Sequence, residues 1–167
     1  SLLLGMRLES SFQRANTFQL FSPDADPVTG LLDTTDRLPA ATLTQSLTGP
    51  LAERPMQLRL GYGKTVNRPD LRELSPSTYY DVKTNREVVG NPDLTRAVIE
   101  NYDLRWEWYL SSDESVSVAG FVKQFTDPIE SVIEVGAAGR LTLANASAAQ
   151  NNGLEFDVRK SIGFGSG

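Results

Sequence analysis

The sequence has neither cysteine nor histidine. Without cysteine, disulfide bonds and thiolate metal sites are excluded. Without histidine, the chain lacks the commonest metal ligand and the commonest general base. No segment approaches the roughly 18 consecutive apolar residues of a transmembrane helix. The formal net charge of −5 argues against a nucleic-acid partner, because such partners usually require a basic patch on the protein.

What the sequence does contain is alternation of apolar and polar residues, which predicts β-strands. In the segment from Asn101 to Trp108, the side chains of Tyr102, Leu104 and Trp106 point one way, and polar or charged side chains point the other. Helical spacing would scatter the same residues around a surface. Similar alternation occurs in Leu2–Leu8, Ala41–Leu47, Met56–Lys64, Ser115–Phe125 and Asn152–Arg159. We therefore predict six principal strands, each near the roughly 9–11 residues of a tilted membrane-spanning strand.

The predicted connections between these strands alternate in length. Two are short, at Thr48–Pro55 and Ser111–Glu114, and three are long, at Arg14–Pro39, Val66–Asp93 and Phe125–Asn151. The last contains two further β-like pieces, Ile129–Val135 and Arg140–Ala144, which we interpret as extensions of the strands on either side. Short turns at one rim and long loops at the other are typical of outer-membrane barrels, with the short turns periplasmic. The predicted fold class is all-β: an antiparallel up-and-down meander that forms a segment of a transmembrane β-barrel.

A soluble β-sandwich also alternates apolar and polar residues, and periodicity alone does not separate it from a barrel. Two features favour the barrel. The polar faces carry full charges in mid-strand, as at Arg105 and Glu107, which suits a hydrated lumen. A group of aromatic residues, Trp106, Trp108 and Tyr109, precedes a short turn, where barrels place their interfacial aromatic girdle.

Five stretches of the sequence, in order, resemble elements of the barrels of TonB-dependent receptors. They are Gly63–Pro76, Val88–Leu94, Asn101–Tyr109, Val118–Ile129, and Asn145-Ala146 followed by Gly153-Leu154-Glu155-Phe156. Together they cover roughly residues 38–162. No single stretch is specific, because an Asn-Pro-Asp run, for example, is common turn chemistry. The signal lies in their order and in the strand or loop position that each occupies.

The resemblance implies a receptor of the bacterial outer membrane, not an enzyme. Such a receptor binds a scarce nutrient, which could be a siderophore, a vitamin or a carbohydrate, and admits it when the TonB complex acts on the plug domain. The implied partners are the nutrient, the plug domain, the TonB complex and outer-membrane lipid, without nucleic acid or a cofactor. A complete receptor resembles a plugged 22-stranded barrel. Residues 1–167 are therefore expected to be a partial barrel, without the plug domain and without the closing strand.

Two other readings remain open at this stage. One is a small self-contained outer-membrane barrel of about eight strands, acting as an adhesin or structural protein, in which the Ile129 and Arg140 segments count as separate strands. The other is a soluble β-sheet binding module.

Nine residues could contact a ligand or the plug domain: Arg68, Asp70, Arg72, Tyr79, Tyr80, Asp103, Arg105, Glu155 and Arg159. For the loop charges, we favour a structural role in which Arg68-Pro69-Asp70 fixes the turn and Arg72 pairs locally. The tyrosines could stack on a ligand or simply pack the loop. The strand carboxylates, with Glu107 and Asp157, could form a paired site for glycoside hydrolysis, but lining of the lumen or docking of the plug is the favoured interpretation.

An acidic stretch contains Asp24 and Asp26, with Asp33 and Asp36 nearby. These carboxylates could attract Ca²⁺. The spacing lacks the regular ligands and the terminal Glu of a calcium loop, so solvated loop acids are the favoured interpretation. No catalytic, cofactor-binding or metal-binding residue is predicted.

Overall fold

The computed structural model describes residues 1–17, 28–48, 54–83, 85–133 and 139–162. Within these ranges the chain forms strands and one short helix. Their bounds are β1 (Leu2–Asn16), β2 (Thr29–Thr48), β3 (Pro55–Asn67), α1 (Leu71–Leu74), β4 (Thr78–Asp81), β5 (Arg86–Val89), β6 (Ala97–Tyr109), β7 (Ser115–Thr126), β8 (Ile129–Ile133), β9 (Leu141–Asn145) and β10 (Ala148–Arg159). In this described part of the chain, no helix is long and apolar enough to cross a membrane.

Six strands form one antiparallel sheet in the order β1-β2-β3-β6-β7-β10. The prediction of an all-β antiparallel meander with six long strands is confirmed. The connections from β2 to β3 and from β6 to β7 lie at one end of the sheet, which we call the turn end. The connections from β1 to β2, from β3 to β6 and from β7 to β10 lie at the opposite end, the loop end. Strands β1 and β10 form the two edges of the sheet.

The two faces of the sheet differ because the strand registers place like residues side by side. On the outer face, Leu104 of β6 pairs with Leu60 of β3, and Trp106 pairs with Leu58. On the inner face, Arg105 pairs with Arg59, in a row of polar side chains. The apolar outer face is built from Leu2, Leu4, Met6, Leu8, Leu43, Met56, Leu58, Leu60, Tyr62, Tyr102, Leu104, Trp106, Trp108, Val116, Val118, Leu154, Phe156 and Val158.

Towards the loop end, the alternation reverses its phase. Ala15 and Leu32 lie on the inner face there and are buried, whereas Thr35 and Arg37 lie on the outer face. The antiparallel pairing of β1 with β2 continues to the last pair, Asn16 with Thr29. The prediction of a loop over Arg14–Pro39 is therefore wrong for Arg14–Asn16 and Thr29–Pro39, which are strand, and residues 18–27 lie outside the described part of the chain. Because the inner face is apolar at the loop end and polar further along, the sequence of β2 does not show one regular alternation, and its full length could not be predicted as a strand.

The remaining four strands form a second sheet in the order β4-β5-β9-β8, in which β5 and β9 run parallel. The interpretation of β8 and β9 as extensions of β7 and β10 is half right. The pairing register is continuous, since Thr126 pairs with Ala148 and Ile129 pairs with Asn145. However, Asp127 has a left-handed φ of 53° and is followed by a proline, so the hairpin leaves the large sheet at this point.

The second sheet and α1 together cover the inner face of the large sheet at its loop end. We call this covering unit the cap; it comprises the described residues of 68–96 and 129–145. The buried cluster between the cap and the large sheet consists of Ala15, Leu32, Leu74, Val88, Leu94 and Leu143, with Tyr79, Ile129 and Leu141 packed against it. Two of these residues belong to the large sheet and the others to the cap, so this core fixes the cap to the wall.

Candidate functional site

Two close backbone contacts in and beneath the cap each require a glycine. A Cβ atom on Gly30 of β2 would lie 2.4 Å from the carbonyl oxygen of Leu74, so this glycine lets α1 pack directly on the large sheet. A Cβ atom on Gly90 would lie 2.1 Å from the carbonyl oxygen of Ser75, so this glycine lets two segments of the cap pack on each other. Real Cβ atoms do not approach backbone oxygens so closely.

An ionic network centred on a buried carboxylate joins the cap to two strands of the large sheet, β1 and β2. The Arg68 guanidinium donates to Oδ2 of Asp36 at 2.8 Å, to Oγ1 of Thr34 at 3.3 Å and to the carboxylate of Glu9. Arg96, which precedes β6, ion pairs with the other carboxylate oxygen of Asp36. Asp36 itself is only 4% exposed. One carboxylate thus holds two guanidinium groups that lie at the start and the end of the loop from β3 to β6.

Electrostatics favour the charged form of Asp36. Burial alone would raise the pKa of its carboxyl, but hydrogen bonds and charge interactions with Arg96 and Arg68 outweigh burial, and the pKa is lowered from its ordinary value of 3.8. Asp36 lies beyond the outer apolar band, because its outer-face neighbours are Thr35 and Arg37. The network is therefore charged at neutral pH and satisfied within the molecule.

Two asparagines act as hydrogen-bond hubs that hold the cap strands together. Asn91 donates from its side chain to the carbonyl oxygen of Leu143 at 2.9 Å. Asn145 accepts from the amide N–H of Thr95 at 2.9 Å and donates to the carbonyl oxygens of Thr95 and Asp127. These asparagines lie in two of the stretches that carry the family resemblance. Their hydrogen bonds give a structural reason for an asparagine at each of these positions.

The predicted loop residues Arg68, Asp70 and Arg72 are engaged inside the molecule. Arg68 belongs to the buried network, with a side chain only 14% exposed. Asp70 caps α1, and its amide N–H donates to the Glu73 side chain at 2.9 Å. Arg72 lies over the Tyr79 ring, 5.0 Å from the ring centre. These contacts support the structural interpretation of the loop charges.

Tyr79 and Tyr80 point to opposite faces of the cap sheet. Tyr79 packs against the buried cluster and under Arg72. Tyr80 is exposed, and its hydroxyl donates to Oδ1 of Asn85 at 2.6 Å. Of the two, Tyr80 is the one whose ring is open to a ligand, and the contact with Asn85 fixes its orientation.

The predicted residues of the large sheet, Asp103, Arg105, Glu155 and Arg159, all lie on the inner face. Arg105 donates to Glu107 at 3.0 Å and to Oγ of Ser117 at 3.1 Å. Asp103, Glu155 and Arg159 are exposed. All four side chains thus lie on the inner face of the large sheet, between its middle and its turn end. They are away from the ionic network that holds the cap.

The carboxylates that β6 and β10 place on the inner face do not lie on adjacent strands. Glu107 and Asp157 lie in the same row of the sheet, but β7 with Ser117 stands between them. Glu107 is ion paired with Arg105 and Arg59. These ion pairs support the favoured interpretation, a charged lining, over a glycosidase pair.

The aromatic group at the turn end is split between the two faces. Trp106 and Trp108 both lie on the outer face, with ring centres 6.3 Å apart. Tyr109 lies on the inner face, where its hydroxyl donates to Glu107 at 3.2 Å. The expected girdle is therefore supported for the tryptophans, whereas Tyr109 belongs to the polar wall.

The acidic stretch does not assemble as a loop site. Asp24 and Asp26 lie outside the described residues. Asp33 and Asp36 are on β2, on opposite faces, and Asp36 is neutralised by two arginines. Among the residues that the structure describes, no group of three or more acidic side chains is placed to hold a metal ion.

Sequence reasoning missed the partners of the buried network and a crevice beside it. Glu9 and Arg96 lie outside the five stretches that resemble receptor barrels. The only sequence signal for them is the reversal of the apolar–polar alternation near Asp36. The crevice lies on the inner face between the large sheet and the start of β8, with a volume of about 310 Å³. Its lining is Asn67, Ala97, Ile99, Phe125, Pro128, Ile129, Glu130, Ala149, Gln150 and Asn151.

A sequence model of the TonB-dependent receptor-like β-barrel matches residues 1–167. The chain belongs to this family of outer-membrane receptor barrels, and the resemblance noted in the sequence is confirmed. A comparison with curated protein sequences finds no match.

Solved structures of receptors share the fold. The hemophore receptor HasR of Serratia marcescens, in complex with its hemophore and heme, superposes with a TM-score of 0.60 at 16% identity, over 96% of this chain and 28% of that chain. The siderophore receptor PirA of Pseudomonas aeruginosa gives 0.62 at 16% identity, over 92% and 28%. A ferric enterobactin receptor of Pseudomonas aeruginosa, in complex with enterobactin, gives 0.55 at 18% identity, over 91% and 22%. The chain thus spans about a quarter of these receptors.

Proposed function

We propose that this chain is part of the wall of an outer-membrane receptor that takes up a scarce nutrient in a TonB-dependent manner. The observation that carries the proposal is the family match over residues 1–167. The two-faced sheet supports it, since an apolar outer face suits lipid and a charged inner face suits a hydrated lumen. The nutrient would be a siderophore, a vitamin or a carbohydrate.

In this proposal, the turn end is periplasmic and the loop end is extracellular. The cap then lines the outer mouth of the lumen, where Tyr80 is open to a ligand. The exposed charges of Asp103, Glu155 and Arg159 face the lumen in its lower half and would contact the plug domain. Arg68, Asp70 and Arg72 would act indirectly, by holding the cap in place. The chain itself would bind the nutrient and guide it into the lumen, without making or breaking covalent bonds.

We further propose that the six strands are a portion of a larger barrel. The edge positions of β1 and β10 support this, as does the span of about a quarter of the matched receptors. The small eight-stranded barrel is less well supported, because β8 and β9 belong to the cap sheet rather than to the wall.

The test is nutrient uptake by cells that carry or lack the full-length protein. Cells are grown with limiting iron, corrinoid or oligosaccharide, and uptake of each labelled nutrient is measured with and without a functional TonB complex. We expect deletion of the protein to abolish high-affinity uptake of one nutrient, and removal of TonB to have the same effect. Unchanged uptake of every nutrient after deletion would contradict the proposal. Protease accessibility of the loop end on intact cells checks the orientation.

A further inference from the structure

The crevice beside the cap has the chemistry of a binding subsite. Its floor is apolar, formed by inner-face side chains that lie in neighbouring positions on β6, β7 and β10. Ile99 pairs with Phe125, and Phe125 pairs with Ala149. Pro128 and Ile129 close one side. An apolar floor with few polar groups at its edge is the usual composition of a ligand pocket.

The rim of the crevice carries carboxamides and one carboxylate. Asn67 and Asn151 lie on the inner face, Glu130 lies on β8, and all three line the crevice. Among the described residues that line it, none is an arginine or a lysine. The nearest inner-face cation by register is Lys123, which pairs with Asn151, but its ammonium lies near the Phe121 ring at 5.9 Å from the centre. The rim can donate and accept hydrogen bonds, and its single charge disfavours an anion.

The ionic network around Asp36 also disfavours an anionic ligand at the crevice. Arg68 and Arg96 are next in sequence to the lining residues Asn67 and Ala97, and both guanidinium groups are bound to Asp36. Recognition of an anion normally uses charge-assisted bonds from such groups. The cap therefore uses these cations for its own attachment and leaves the crevice without them.

We propose that this crevice is a subsite for an uncharged, hydrogen-bonding portion of the transported nutrient. The proposal rests on the function proposed above and adds a ligand class to it. A volume of about 310 Å³ is at the lower limit for a small-molecule pocket, so it accommodates one moiety of a larger ligand. The apolar part of that moiety lies against Phe125 and Ile99, and its polar edge meets the carboxamides of Asn67 and Asn151.

Two substitutions at adjacent positions test the subsite. Ala149→Trp fills the crevice from the inner face, whereas Ala148→Trp places the same ring on the outer face at the same height, because the two residues point in opposite directions. Both are made in the full-length protein in outer membranes. The probes are three neutral compounds, a ferric tris-hydroxamate, a corrinoid and a maltooligosaccharide, together with one trianionic ferric tris-catecholate.

We expect the unsubstituted protein to bind one of the neutral probes. Ala149→Trp should weaken that binding at least tenfold, and Ala148→Trp should change it less than twofold. Tight binding of the tris-catecholate alone, or of none of the probes, would overturn the ligand class. Unchanged affinity in Ala149→Trp would overturn the subsite. If Ala149→Trp weakens every probe equally and makes the plug domain sensitive to protease, the crevice holds a plug segment and the inference is wrong.

Failure of the subsite can be separated from failure of the proposed function. TonB-dependent uptake that persists at its original rate in Ala149→Trp would reject only the subsite. Absence of TonB-dependent uptake of any nutrient in the unsubstituted protein would reject the function itself.

Discussion

At the scale of single residues, the motif residues are explained by packing within the cap and by its attachment to the large sheet. Arg68, Gly90, Asn91 and Asn145 each make or permit a contact between segments that are far apart in sequence. The sequence could predict that Arg68 has a structural role, because an Arg-Pro-Asp run fixes a turn. It could not identify Asp36 as the partner, since the pairing depends on a loop that folds back over the wall.

Removal of Arg68 should loosen the cap. Arg68→Ala leaves the buried Asp36 and the half-buried Glu9 with one cation fewer, and breaking a buried pair costs on the order of 3 kcal/mol. The measurement is amide hydrogen exchange of peptides covering residues 71–89 in the full-length protein. Arg7→Ala is the control, because Arg7 also pairs with Glu9 but its side chain is 72% exposed, and its loss should cost less than about 1 kcal/mol. Equal exchange in both variants would refute the role of the network.

Acidification should also loosen the cap. The folded-state pKa of Asp36 is lowered by Arg96 and Arg68 below its unfolded value, so its contribution is complete above pH 4 and is lost as the pH falls through the folded pKa. We expect hydrogen exchange in the cap to accelerate below pH 4, after correction for the intrinsic rate. In Asp36→Asn, exchange should be fast already at pH 7 and the acid-dependent step should shrink. An acid step of the same size in both proteins would contradict this assignment.

A methyl group on Gly90 should disrupt packing within the cap. Gly90→Ala places a Cβ atom 2.1 Å from a carbonyl oxygen of the helix α1 segment, and such overpacking costs about 1–3 kcal/mol. Gly63→Ala is the matched control, since a Cβ atom there meets nothing within 4 Å. Protease cleavage within the cap should increase for the first variant and not for the second. Similar cleavage of both variants would show that the close contact at Gly90 does not control the stability of the cap.

At the scale of elements, alternation predicted the turn-end part of every wall strand but not the loop-end extensions. The reason is the reversal of phase: Leu43 and Leu47 face outward on β2, whereas Leu32 and Leu38 face inward on the same strand. A strand that changes its apolar side midway looks irregular when it is read as one pattern. The cap sheet was also missed, because the parallel pairing of β5 with β9 joins segments about 50 residues apart.

The wall strands should respond to a charge according to the face on which it is placed. Leu43→Arg puts a guanidinium on the outer face in the middle of the apolar band, where burial in lipid costs about 2–4 kcal/mol. Thr42→Arg puts it on the exposed inner face and should cost less than about 1 kcal/mol. Denaturant unfolding of the full-length protein in phospholipid bilayers measures both. A greater loss for the inner position would invert our assignment of the faces.

At the scale of the whole molecule, the large sheet has one face and two edges that no described part of the isolated chain covers. Leu154, Phe156 and Val158 on edge strand β10 are each more than 70% exposed. Exposed apolar strands at a sheet edge promote association between chains. In water, we expect the chain to sediment as oligomers, and detergent should reduce their size. A single monomeric species in water would contradict this expectation and favour a soluble module.

The long pairing of β1 with β2 has a consequence for contact with the surroundings of the cell. β1 contains 15 residues and is about 50 Å long, which even at the usual tilt exceeds an apolar band of about 25 Å. In the proposed orientation, the part of the ribbon beyond Leu8 and Arg37 therefore stands above the lipid by on the order of 20 Å. Its outward side there carries Phe12 and Arg14, both exposed. Large particles that approach the cell from outside can reach this side of the ribbon. It faces away from the lumen, so its side chains can change without altering the surface that lines the lumen.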